Sequence, residues 1–243
     1  MSLAIVITTI REPTAGILAI AEQSRERDCK LFVIGDLKSP PSWECPGSTY
    51  LSYEQQIELP FASARLIPAN SYPRKMLGYL LAADASCTHI RETDDDNIPY
   101  PDFCATPGLK VRARVGAAIN SWVNIYSYFS DRHIWPRGFP LARLHDARRN
   151  EAPTWGEQEV LADGDPDVDA VYRLTAPDTS EVRFSQSTPL LIPSGSWAPF
   201  NSQVTTWPVE LLPLMYLPST CSFRMTDIWR SFVAQRLMPG LDS

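Results

Sequence analysis

Thr88-His89-Ile90-Arg91-Glu92-Thr93-Asp94-Asp95-Asp96-Asn97-Ile98-Pro99 sets a strand-like run directly against three consecutive aspartates and a proline turn. In a strand, side chains alternate faces, so continued pairing puts Asp94 and Asp96 on one side and Asp95 on the other. Two carboxylates brought to one spot repel unless a cation lies between them. A hard divalent ion with oxygen ligands, Mg2+ or Mn2+, is the natural occupant. A solvated acidic turn punctuated by Asn97 and Pro99 is the plain alternative, and the neighbouring sequence has to decide between them.

Upstream, the pattern is that of an α/β layer. Leu3 to Ile10 is a nearly continuous apolar, β-branched run, as in a strand buried on both faces of a parallel sheet, and Thr8, Thr9 and Arg11 stand at its carboxyl end. Thr14 to Arg27 has helical spacing in Ile17, Leu18 and Ala21, and Lys30 to Asp36 is a second strand ending in Asp36. Three prolines and a glycine make Lys38 to Ser48 a loop, after which Thr49 to Ser52 forms a brief third strand. Asn70-Ser71-Tyr72-Pro73-Arg74-Lys75 opens a helix, with Asn or Ser as cap and proline in the first turn. Arg74 and Lys75 oppose the macrodipole there, yet they strengthen a helix start as a phosphate site. In open α/β sheets, ligands gather at the carboxyl ends of strands. Thr9 with Arg11, Asp36 and Asp94 to Asp96 all fall at such ends, which favours a metal and diphosphate site over a solvated turn.

Composition narrows the classes. With 243 residues, 44% hydrophobic and 21% charged, the chain is a globular protein able to bury a substantial core. A net charge of −6 argues against nucleic acid as partner. The 22 prolines, against a usual share of about 5%, mean many loops. No apolar run approaches the roughly 20 residues of a membrane span, and Met1 to Ile7 lacks the pattern of a signal peptide. Cys29, Cys45, Cys87, Cys104 and Cys221 are odd in number, without a CxxC pair, which suits free thiols in a reducing cytoplasm. Cys87 and His89 share a strand face but form no recognisable nucleophile motif.

The second half is less regular. Asn120 to Tyr128 reads as a strand pair or an amphipathic segment, and Trp135 to Leu141 is a loop. Arg143, His145, Arg148 and Arg149 form a basic cluster on a solvated face. Asp163-Gly164-Asp165-Pro166-Asp167-Val168-Asp169 invites a calcium reading that fails, since Val168 stands where glycine is needed and Leu174 where glutamate belongs. Thr226-Asp227-Ile228-Trp229-Arg230 begins a last helix with Asp227 near its start.

Taken in order, Ile7-Thr8-Thr9-Ile10-Arg11-Glu12-Pro13-Thr14, Ile34-Gly35-Asp36, Asn70 to Lys75, Glu92 to Asn97 and Trp135-Pro136-Arg137-Gly138-Phe139-Pro140 resemble the STELLO-type glycosyltransferases, through Asp227 to Arg230. More distantly the chain looks like the reversibly glycosylated polypeptides, which are UDP-arabinopyranose mutases. The resemblance implies a GT-A-like, Rossmann-like nucleotide-sugar-binding fold with a central mixed, mostly parallel sheet. It implies one domain over residues 1–243, with a nucleotide-binding half (1–100) and an acceptor-side half (101–243). Asp94 and Asp96 take the place of a DxD-type metal motif for Mn2+ or Mg2+, beside Asp95 and Asn97. Arg74 and Lys75 face the diphosphate, while Thr8, Thr9, Arg11 and Asp36 cradle the nucleoside. Arg137 touches donor phosphate or sugar, and Asp227 is the acceptor-side base. The expected partners are a nucleotide-sugar donor, a UDP-sugar for preference, and an acceptor that the sequence does not name.

Three departures qualify the match. Arg143 lies one residue nearer its loop than the glycosylated arginine of the mutases, and no histidine follows His145 to complete a metal site. The plant family carries a membrane anchor, which this sequence lacks, so the expected location is cytoplasmic. The alternatives to transfer are a mutase that glycosylates itself at Arg143, or a non-catalytic sugar-nucleotide-binding or assembly module.

Overall fold

A computed structural model describes residues 2–106, 113–116, 121–144, 150–151, 158–159, 161, 163–176, 180–185, 188–193 and 195–238. His145, Arg148 and Arg149 of the basic cluster, and Asn120, lie outside them. The chain divides into two compact units, Met1–Pro107 with Ser202–Arg230, and Gly108–Asn201 with Ser231–Ser243.

The first unit is an α/β layer on a mixed, mostly parallel sheet. Strand β1 (Leu3–Thr8) is buried along nearly its whole length, as its two-sided apolar sequence requires. Parallel neighbours flank it, β2 (Lys30–Ile34) on one side and β4 (His89–Asp94) on the other. Strand β3 (Thr49–Leu51) pairs parallel with β2. Strand β5 (Val204–Pro208) lies next to β4 and antiparallel to it, so the strands of this unit run in the order β3-β2-β1-β4-β5. The chain therefore winds from β1 through β2 to β3 and returns to lay β4 on the opposite side of β1. That reversal puts a topological switch point between β1 and β4, where open sheets bind ligands at the strands' carboxyl ends. Thr8 is in register with both Ile34 and Asp94, so three strands reach this edge together.

Helices cover the sheet. Helix α1 (Ala15–Glu26) is capped by Thr14, whose Oγ1 accepts from the Ile17 amide at 3.2 Å. It buries Ile17, Ile20 and Ala21 in a core with Leu3, Ile5, Ile7, Leu31, Val33 and Trp43. The short helix α2 (Tyr53–Ile57) follows β3. Helix α3 (Lys75–Asp84) packs on β1 and β2, and a Cβ at Gly78 would run into Val6, so only glycine permits that approach. Helix α3 is preceded by a 3-10 turn at Tyr72–Arg74, and Ser71 makes no side-chain cap, contrary to the capping expected from sequence. The amides of Asn70 and Ser71 go instead to the Asp36 carboxylate, at 2.8 and 3.0 Å. Helix α4 (Thr226–Leu237) is the last.

Strand β4 carries two buried charges. Glu92 takes both ends of the Arg230 guanidinium, at 2.7 and 2.9 Å, and accepts a hydrogen bond from the Tyr79 hydroxyl. Arg91 donates to Thr206 Oγ1 on β5 at 2.7 Å and to the carbonyls of Phe103 and Ala105.

The second unit has short strands. Arg114–Gly116 pairs antiparallel with Asn150–Glu151 and parallel with Leu190–Leu191. Its core gathers Val123, Ile125, Tyr126, Ile134, Val168 and Val182, and Ile125–Tyr128 is a 3-10 turn rather than a strand. Among the described residues no helix is long and apolar enough to cross a membrane.

Candidate functional site

At the switch point, hydroxyls and amides clamp the aspartate turn. Strand β4 ends at Asp94 and the next two residues turn, so the strand alternation expected to carry through to Asp96 stops two residues early. Thr9 Oγ1 at the end of β1 donates to Asp95 Oδ2 at 2.6 Å, bridging the two strand ends. The Thr14 hydroxyl donates to the Asp95 carbonyl, and a Cβ at Gly16 would run into the Asn97 carbonyl oxygen. The helix start and the aspartate turn therefore touch backbone to backbone. Asn97 Nδ2 closes the turn on Thr93 Oγ1 and the Gln203 carbonyl, both at 3.0 Å. Asp96 is exposed, and among the described residues its carboxylate meets no partner.

Below the turn lies a buried polar chain. Lys75 is wholly buried, and its three ammonium protons go to Tyr72 Oη at 2.7 Å, Asp94 Oδ1 at 3.1 Å and the Ser202 carbonyl at 3.1 Å. The Tyr72 hydroxyl donates to the same Asp94 oxygen at 3.1 Å. Burial, and then the Asp94 charge, push the Tyr72 phenol well above its usual range, so it remains a donor. Ser202 Oγ bonds with Tyr72 Oη and lies 3.2 Å from Asp227 Oδ2, which also accepts from the Ser202 amide at 3.2 Å. Asp227 Oδ1 accepts from the Ile228 amide at 2.9 Å. Asp94, Lys75, Tyr72, Ser202 and Asp227 thus form one connected network.

Other candidates have partners of their own. Arg74 is buried, as Lys75 is, but turns elsewhere: its Nε donates to Gln56 Oε1 at 2.7 Å, Nη1 to the Ile67 carbonyl at 2.9 Å, and its plane lies over Tyr53. Among the described residues Arg74 Nη2 is buried without a hydrogen-bond partner, and burial lowers the pKa of the guanidinium. Asp36 spends its carboxylate on the amides of Leu37, Asn70 and Ser71. Thr8 is half-buried beside Asp94. Arg11 is exposed, its amide on Thr9 Oγ1 at 3.1 Å and its carbonyl receiving Trp43 Nε1 at 2.9 Å. In the second unit, Arg137 Nε donates to Asp167 Oδ1 at 2.6 Å, and Arg143 ends a 3-10 turn.

Tyr72 and Ser202 were not among the candidates from sequence, although Tyr72 sits inside the stretch from Asn70 to Lys75 that carries the resemblance. A hydroxyl next to a proline-led helix start was the available signal for Tyr72. Ser202 had none, because its partners are remote in sequence. Cys87 and His89 form no pair: burial raises the Cys87 thiol and lowers His89, whose Nδ1 rests on Thr88.

Among the described residues no three His, Cys, Asp or Glu side chains are grouped so as to hold a metal by themselves. The donor set still suits Mg2+ or Mn2+, which bind through one or two carboxylates plus substrate phosphates. Among the described residues, Asp94 Oδ2, Asp95 Oδ1 and both Asp96 oxygens have no hydrogen-bond donor at this strand end.

No family model matches the chain. Over 96% of its length it is 28% identical to the probable glycosyltransferase STELLO1 of Arabidopsis thaliana, and 27% identical to the probable glycosyltransferase STELLO2 of the same plant. It spans about a third of each of these relatives, which the alignments cover to 33%. The resemblance read from its motifs to the STELLO-type glycosyltransferases thus runs along nearly the whole chain.

Proposed function

We propose that this chain is a GT-A-like glycosyltransferase unit that takes a sugar from a nucleotide diphosphate sugar, a UDP-sugar for preference, and passes it to an acceptor. The observation that carries the reading is the clamped aspartate turn at the switch point, where Thr9 and Asp95 join β1 to β4 and leave carboxylate oxygens unspent. Asp96 and Asp94 would hold Mn2+ or Mg2+ there, and the ion would neutralise the charge of a departing diphosphate. Lys75 acts through Asp94: with all three protons committed, it fixes that carboxylate's rotamer and offsets its charge. Tyr72 adds a second donor on the same oxygen. Asp227, buried and fully hydrogen-bonded, positions Ser202 and through it Tyr72. Thr8, the last residue of β1, and the exposed Arg11 three residues beyond it meet the donor.

A second reading, a nucleotide-sugar-binding module without transfer, draws on the commitment of Asp94 Oδ1 to Lys75, which leaves fewer carboxylate oxygens for chemistry. A thermal-shift panel of UDP, GDP, CDP and ADP with and without Mn2+, run beside a donor-hydrolysis assay, separates the two. Ligand at 100 times its dissociation constant stabilises by about 2.7 kcal/mol, a shift of several degrees at roughly 2–4 °C per kcal/mol. A metal-dependent shift with one nucleotide, accompanied by hydrolysis, is the expected result for the transferase. A shift without turnover selects the binding module, and no shift with any nucleotide defeats both.

A further inference from the structure

Two cysteines far apart in sequence meet beneath the sheet edge, on the α1 side of the first unit. Cys104 is 1% exposed, and its Sγ lies 3.6 Å from Ser24 Oγ and 3.8 Å from the Ile20 carbonyl oxygen on α1. Cys29 is half-buried and follows α1 by way of Asp28, whose φ of 53° turns the chain back. Its amide donates to the Ser24 carbonyl at 3.0 Å, and it packs on the core cluster that contains Cys104. Ser24 therefore touches both residues, its carbonyl on the Cys29 amide and its hydroxyl on the Cys104 sulfur, and both cysteines lie in or against one core cluster. The segment around Cys104 is held from the other side, because Arg91 Nη1 binds the carbonyls of Phe103 and Ala105 that flank it. None of these groups takes part in the network of Lys75, Asp94 and Asp227.

We propose that Cys29 and Cys104 form an oxidisable dithiol, with Cys29 as the attacking thiol, Cys104 as the resolving thiol and a hydroperoxide as the oxidant. Exposure assigns the order, since Cys29 reaches solvent and Cys104 does not. In the first step Cys29 sulfur attacks one peroxide oxygen. An S–O bond forms, the O–O bond breaks, and the departing oxygen takes a proton, leaving a sulfenic acid. In the second step Cys104 sulfur displaces that hydroxyl. An S–S bond forms, the S–O bond breaks, and the Cys104 proton leaves with hydroxide as water. The two electrons lost by the sulfur pair equal the two gained by the peroxide.

The local field supports this assignment. The hydrogen bond from Cys104, then that from Ser24 and the Arg91 charge, outweigh burial and bring Cys29 down to about 6, whereas the same hydrogen bond and burial push Cys104 up. The bond would tie the segment leaving the aspartate turn to the start of β2.

The test uses the whole chain, fully reduced and titrated with hydrogen peroxide. The free-thiol count is followed, and non-reducing peptide maps locate any bridge. The expected result is loss of two of the five thiols, loss of the mass of two hydrogens, recovery with dithiothreitol, and one bridge joining the peptides of Cys29 and Cys104. A Cys104→Ser variant should stop at a sulfenic acid on Cys29 that dimedone captures. A bridge to Cys45, Cys87 or Cys221 overturns the pairing. Full retention of the Cys29 and Cys104 thiols in the wild type, after the other cysteines have reacted, overturns the site; that outcome depends on no variant folding.

Discussion

The chain has two aspartate-rich stretches, and they are put to opposite uses. In the second unit, Asp163 accepts from the Phe184 amide at 2.7 Å, Asp165 pairs with Arg173 and Asp167 with Arg137. Asp169 caps the helix Ala170–Thr175, accepting from the Val171 amide at 2.8 Å. Each carboxylate there has a structural partner close by in the fold. In the first unit, among the described residues, Asp94 spends one oxygen on Lys75 and Tyr72, Asp95 one on Thr9, and Asp96 none. Composition is nearly the same in the two stretches; what differs is delivery. A parallel strand delivers Asp94, and the turn after it Asp95 and Asp96, to a switch point, where the surrounding donors bind only some of the carboxylate oxygens, as the proposed donor site requires.

The largest effect expected from this contrast is at Asp96. Replacing it by Asn should leave stability within about 0.5 kcal/mol, since an exposed side chain without partners is being changed. The metal-dependent nucleotide shift should vanish, and transfer should fall by about 10²–10³-fold, the usual loss when one electrostatic group is removed from a reacting centre. Wild-type turnover in this variant would put the first stretch in the same class as the second.

Next comes Lys75→Met. It leaves Asp94 Oδ1, Tyr72 and the Ser202 carbonyl without their shared donor. Breaking one side of a buried pair costs about 3–5 kcal/mol, and the partial exposure of Asp94, 36% for its side chain, places this case at the lower end. Chemical denaturation should show that loss together with weaker nucleotide binding. A stable variant with normal binding would mean that the network is not what holds Asp94.

Asp167→Ala should cost less, about 1.5–3 kcal/mol for a charge-assisted hydrogen bond, because the pair is partly buried at 17% and 15% exposure. Nucleotide shifts should be unchanged. If they disappear, Arg137 reaches the donor, and its pairing with Asp167 serves the site as well as the fold.

How much of this contrast was legible in sequence follows from where each partner lies. Strands β1, β2 and β4 and helix α1 announced themselves through local pattern, with Thr14 as a readable cap. Strand β5 did not: its run from Val204 to Pro208 borders proline-rich turns, and its pairing partner β4 lies more than a hundred residues earlier. For Lys75 the sequence showed a cation in a first turn but not its burial, which depends on Asp94 and Ser202 arriving from 19 and 127 residues away. The termination of β4 at Asp94 was equally hidden, because Thr9, Thr14 and Gly16 impose the turn from another element. Local rules therefore found the carboxylates, and only tertiary donors showed which oxygens remained.

The smallest effect is expected at Asp165, and it sets the baseline for the others. Arg173 Nη1 meets Asp165 Oδ1 at 2.7 Å, a good distance, but the two side chains are 53% and 78% exposed. Water competes for both groups, salt screens them, and holding two long side chains together costs entropy, so such pairs are worth about 0–1 kcal/mol. Asp165→Ala should then shift the denaturation midpoint by no more than the scatter of repeated measurements, with nucleotide shifts intact. A calcium-dependent stabilisation of the wild type that this variant abolishes would overturn the structural account of the second stretch, since an aspartate needed only for Arg173 has no reason to respond to a cation. With Asp165 silent and Asp96 decisive, the difference between the stretches lies in their tertiary donors rather than in the number of their carboxylates.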